Sequence, residues 1–150
     1  MLFIFGVVFE ASADARLNGR WVCEEGAEWF FNNGIFEAGS GGTVFIRGVY
    51  SVSGNNITLI QTHWFAENFN IFTGMTLPAR VMERSELEAA AIAELRRFGR
   101  SAADARRMFL EAFNCCCHHY FPLTSTFAIG GNILAIPGLA ELGGVTLTRR

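Results

Sequence analysis

A chain of 150 residues with a formal net charge of -2 and 12 Lys+Arg has no concentrated basic surface, which argues against nucleic acid as a partner. Its composition is 51% hydrophobic, with 15 Phe and 3 Trp, yet no run of about 18 apolar residues is present to span a bilayer as a helix. The apolar mass therefore belongs to a core or a cavity, in a chain about one domain long.

Residues 1–15 form a short apolar run followed by Ala11-Ser12-Ala13 and Ala13-Asp14-Ala15, both Ala-x-Ala cleavage patterns. We expect a signal-peptide remnant here, without a basic n-region, and hence a periplasmic or secreted protein. The alternative is an edge strand of the mature fold. Residues 16–150 are then the domain proper.

The chain continues in hairpin grammar. Residues 17–23 make a first strand, Glu24-Glu25-Gly26 turns it, and residues 27–31 return. Asn32-Asn33-Gly34 is a strong two-residue turn signal, since a type I′ turn needs positive φ at both central positions. Residues 35–37 form a third strand, 38–42 a Gly/Ser loop, and 43–52 a fourth strand. Residues 53–56 turn again, and a fifth strand over 57–64 alternates Ile57, Leu59, Gln61 and His63 on one face.

Residues 65–84 are an aromatic, weakly periodic connection, either a lid over the strands or a seat for a helical pair. Ser85-Glu86-Leu87-Glu88 reads as a capping box, and Gly99 is placed to end the helix that it starts. Ser101 caps a second helix, with a stripe of Ala105, Met108, Phe109, Ala112 and Phe113. This two-helix insertion spans about 85–114, and its apolar stripes should fold back over an opening of the sheet. Strands resume over 119–129, 133–136 and 145–148. Residues 50–59 align without a gap onto 127–136, each with a Gly-Asn turn at its centre. Eight sequential antiparallel strands favour an up-and-down barrel, because closure removes exposed edges, with the helices after the fifth strand. A sandwich is the second choice.

Gly19-x-Trp21 at the head of the first strand, with Arg149 just after the last, resembles the calycin and lipocalin pattern. More narrowly, Leu17-Asn18-Gly19-Arg20-Trp21, Phe31-Asn32-Asn33-Gly34-x-Phe36-Glu37, Gly48-x-Tyr50-x-Val52-Ser53-Gly54-Asn55 and Thr146-Leu147-Thr148-Arg149 are similar to small bacterial lipocalin-like domains. The resemblance implies that Gly19, Trp21 and Arg149 are structural, with the indole plugging one end of a barrel and the guanidinium across it. The helical insertion departs from that pattern, in which the helix follows the eighth strand, and no lipobox Cys follows the apolar start.

Cys115-Cys116-Cys117-His118-His119 invites a metal, but consecutive side chains diverge on a helix or a strand, so no metal and no cofactor is expected. In an exported protein Cys23 has a choice of three disulfide partners. No nucleophile elbow, phosphate loop or zinc-protease motif is present, so no enzyme is expected. A small apolar ligand would be held by Phe36, Tyr50, Val52, Ile57, Leu59 and Phe127, with Gln61 and His63 as orienting polar groups. The expected function is a lipocalin-like binding protein for a small apolar molecule or an envelope component, held inside or at the mouth of the barrel; the alternative is a solid-core module that binds a protein through helices and loops. Self-association through the helices is a third.

Overall fold

The computed structural model describes residues 13–116, 120–142 and 146–150, except for the side chains of 72, 73 and 116. The expected signal segment therefore lies largely outside the described residues, as do positions 117–119 and 145. Asp14 caps a 3-10 turn at Ala15–Leu17 and leads into a meander of β1 (Gly19–Val22), β2 (Ala27–Asn32), β3 (Ile35–Ser40), β4 (Thr43–Ser53) and β5 (Asn56–Phe65). The β2–β3 turn has φ 47° at Asn33 and 90° at Gly34, the doubly positive geometry that its sequence announces. The loop expected over 38–42 is instead two residues long: β3 runs on to Ser40, and Gly41 and Gly42 at φ 58° and 83° make the connection.

Next come a 3-10 turn (Ala66–Phe69), α1 (Asn70–Thr73), β6 (Val81–Glu83), α2 (Arg84–Arg97) and α3 (Ala102–Cys116). The chain ends with β7 (Leu123–Thr126), β8 (Ala128–Gly130), β9 (Ile133–Ala135) and β10 (Thr146–Arg149). All pairings are antiparallel, in the order β6-β5-β4-β3-β2-β1-β10-β9-β8, with β7 on β5. Among the described residues the sheet thus has ten strands where eight were expected, and its ladders do not close. Phe127 splits the expected strand over 119–129 into β7 and β8, which pair with different neighbours.

The helices follow β6 and not the fifth strand. Three residues are too few to show a period in sequence, yet β6 holds Phe65 against Val81 and Trp64 against Met82. Because β6 passes straight into α2, Glu83 occupies the N-cap without a side-chain bond, Ser85 falls inside the helix, and the capping box does not form. An Arg80–Glu86 ion pair braces that first turn instead. The other end behaves as expected: Gly99 has φ 85°, its N–H donates to Arg96 O, and Arg100 N–H donates to Leu95 O. Ser101 Oγ accepts from Asp104 N–H at 3.1 Å and caps α3.

Two cores result. The first lies on the inner face of the sheet, and the second gathers Phe69, Met75, Leu77 and Met82 under Leu87, Leu95, Phe109 and Phe113. The aromatic connection is therefore the seat of the helical pair. The cores meet where Ile46, packed on the first, pairs with Trp64, packed on the second and edge-on to Phe113 at 5.0 Å. The aligned segments 50–59 and 127–136 bury equivalent residues: Tyr50 with Phe127, Ile57 with Leu134, and Leu59 with Ile136.

Candidate functional site

Inward positions of β2 to β5 supply the residues expected to hold a ligand. Phe31 pairs with Phe36 and Phe36 with Gly48, while Tyr50 pairs with Leu59 and Val52 with Ile57. Phe36, Tyr50, Ile57, Leu59 and Phe127 all lie in one buried cluster, with half-buried Val52 packed against it. The rings touch one another: Tyr50 meets Phe31 edge-on at 5.2 Å, and Phe36 lies 6.0 Å from Trp29 and 5.7 Å from Phe121. Burial raises the Tyr50 phenol above its ordinary pKa, so the hydroxyl stays neutral.

Gly48 makes this packing possible. A Cβ there would come within 2.5 Å of the Phe36 ring and 2.1 Å of the Ile60 carbonyl oxygen. The second contact is with backbone and cannot rotate away. Gly48→Ala is expected to cost about 1–3 kcal/mol or more, the range for overpacking, as read from urea denaturation.

Gln61 and His63 part company. The β4–β5 register shifts between Arg47 and Gly48, so Gly48 pairs with Gln61 but Arg47 pairs with His63, leaving Thr62 as the extra residue of a bulge. The slip reverses the alternation, so Gln61 keeps the side of Gly48 and Phe36 while His63 joins the opposite face with Glu37 and Arg47. Gln61 Nε2 donates to His63 O at 2.9 Å, and His63 Nδ1 lies 2.8 Å from Thr62 Oγ1.

Desolvation, and next the Arg47 charge, lower the His63 pKa, against opposing pulls from Glu83, Glu86 and Glu37. A lowered folded pKa means that the unfolded chain binds a proton first. Its stabilising contribution is therefore complete above about pH 6.5 and is lost as pH falls through the lower folded value. Melting temperature should drop as pH falls below about 6.5, with a smaller drop in His63→Gln.

Gly19, Trp21 and Arg149 come together where β1 pairs with β10. Trp21 is fully buried, its Nε1–H donates to Leu17 O at 2.7 Å, and the Arg149 guanidinium carbon stands 4.4 Å from its ring centroid. Arg149 also donates to the carbonyls of Asn18 and Arg16. Gly19 sits at φ 127°, where a side chain would be strained. Asn18 lies inside the same motif but carries no sequence signal of its own role. Its Oδ1 accepts from Asn33 N–H and its Nδ2 donates to Asn33 Oδ1, both at 3.0 Å, tying the β2–β3 turn to the strand entry.

Cys23 is buried, its Sγ accepting from Ala27 N–H, while Cys115 is exposed at the end of α3; both are free. Among the described residues no group of three His, Cys, Asp or Glu is placed to hold a metal ion. No described helix is long and apolar enough to cross a membrane. Clefts open on the outside: one of about 320 Å³ beside Phe30 and Gly39, and one of about 350 Å³ between Phe98 and Met108.

No protein-family model matches the chain, and no curated protein and no solved structure matches it either.

Proposed function

We propose that the chain is an exported, lipocalin-like barrel with a filled interior, a binding module that meets an envelope protein through its outer surface and helical insertion. The observation that carries this reading is the aromatic packing at Phe31, Phe36 and Tyr50, where the residues suited to hold an apolar ligand hold one another. Closure is supported by treating β7 and β8 as one strand bent at Phe127, whose N–H donates to Asn55 O at 2.8 Å. With β6 set aside as an accessory strand, eight strands then follow in ring order. The Trp21–Arg149 stack fits the same plan. Export rests on the apolar start and Ala11-Ser12-Ala13. Exposed Phe98 on the insertion and Ile71 on α1, in the connection that leads to it, give an apolar surface to offer. Catalysis has no part in this reading.

One observation favours the carrier reading instead. The indole nitrogens of Trp29 and Trp64 are buried without an acceptor among the described residues, and both residues lie on the inward rung Trp29–Ala38–Ile46–Trp64. An amphipathic ligand with a carbonyl or carboxylate head would satisfy such donors. Titration with an environment-sensitive dye and a labelled fatty acid separates the two. The filled interior predicts no saturable binding, whereas saturable binding displaced by unlabelled fatty acid would overturn it.

A further inference from the structure

We propose that the outer face of β3 and β4 is a homodimer interface, with a two-fold axis running parallel to the strands between them. The sheet is built for this at two adjacent rungs. On the first, Ile35 pairs with Val49 and Val49 with Ile60, three outward apolar side chains at 50%, 44% and 47% exposure. Phe30, 44% exposed, lies diagonally beside Ile35 on β2. A contiguous apolar patch with a charged border is the usual mark of a protein contact. The next rung carries that border: Arg20, Phe30, Glu37, Arg47, His63 and Glu83 in register, with Arg47 Nη2 3.1 Å from Glu37 Oε2. On the other side the rung Ser51–Thr58–Thr124 is uncharged.

Charge decides which occupant fits. Two copies facing one another are related by a two-fold axis in the interface plane, and an isologous contact sets each patch on itself. An axis over β4 would set Arg47 on Arg47, and one over β3 would set Glu37 on Glu37. An axis between the two strands sets Glu37 on Arg47 of the second copy, and Arg47 on its Glu37. The same operation lays Ile35 on Val49 and Val49 on Ile35, and brings Phe30 over His63. At the centre apolar meets apolar and Glu37 and Arg47 each meet the opposite charge, while Ile60 lies over Asn32 at the edge of the first rung, a match that a partner of unrelated sequence has no reason to provide. Four strands about 4.8 Å apart and six residues of about 3.3 Å each give a footprint of about 400 Å² per copy. That is an area of the transient class, so the dimer should be concentration-dependent. The proposal stands whether or not the interior takes a ligand.

Sedimentation equilibrium of the full chain over about 1–500 µM tests it, spanning the range expected of a small interface. The wild type should pass from monomer to twice that mass. Glu37→Arg and Arg47→Glu should each remain monomeric, because each sets like charges on one another. Their 1:1 mixture should recover the dimer, since the cations of one chain then meet the anions of the other. Mixing cannot repair the pair within a chain, so recovery isolates the contact between copies. Val49→Lys, at an outward position away from both cores, should abolish the dimer, and Ile133→Lys, exposed on β9, should leave it intact. A wild type that stays monomeric, a mixture that does not associate, or a dimer that survives Val49→Lys and so forms elsewhere, as on the helices, overturns the proposal.

Discussion

Trp21→Ala should lower the free energy of unfolding by about 3–5 kcal/mol, the range for truncating a buried aromatic. Three losses coincide at this residue. The ring leaves a void in the first core, to which fully buried Leu17, Phe31 and Leu147 also belong. Leu17 O loses its indole donor while remaining inside, which carries its own penalty. The Arg149 guanidinium loses the surface on which it stacks. Trp21→Phe keeps the ring face but not the N–H, so it should retain much of the stability. Arg149→Met keeps some of the apolar cover and should cost about 0.5–2 kcal/mol for the cation–π contact, plus the two carbonyl bonds. Urea denaturation with an unchanged slope is the measurement, and a Trp21→Ala protein losing under about 1 kcal/mol would show that the indole is no plug.

Phe109→Ala should cost about as much, about 3–5 kcal/mol, but in a different place. Phe109 is fully buried on α3, 6.0 Å from Phe69 and 5.7 Å from Phe113, at the centre of the second core. That core touches the first at the Ile46–Trp64 rung, so the damage should stay mostly on its own side. Hydrogen exchange at low denaturant should show protection lost in α2, α3 and β6 while β1 to β3 keep theirs. Uniform loss across both units would mean that they unfold as one.

Short-range chemistry was the legible part of this chain. The turns at Asn33-Gly34 and Gly54-Asn55, the left-handed Gly99 and the Ser101 cap are local, so a few residues suffice to specify them. The aligned hairpins also share their burial, because both have the same period around the same turn. What escaped the sequence depends on partners distant along the chain. β6 is three residues long and exists because β5 offers it an edge. Its pairing fixes where α2 begins, which displaces Ser85 from the cap. The bulge at Thr62 leaves no compositional trace, yet it moves His63 to the outer face. Phe36 and Tyr50 look equally suited to lining a cavity or filling it, and the choice rests on Gly48 letting the Phe36 ring settle onto the strand. The splitting of β7 from β8 at Phe127 is of the same kind, set by two different neighbours.

If recognition happens outside the sheet, as proposed, the inner face around Tyr50 is a packed core. The most direct measurement of this is the unfolding free energy of Tyr50→Ala with and without a saturating labelled fatty acid. Tyr50 is 5% exposed and meets Phe31 edge-on, so a loss of about 3–5 kcal/mol that the fatty acid does not restore is expected. A loss under about 1 kcal/mol, accompanied by fatty-acid binding that stabilises the wild type and fails in the variant, would contradict it.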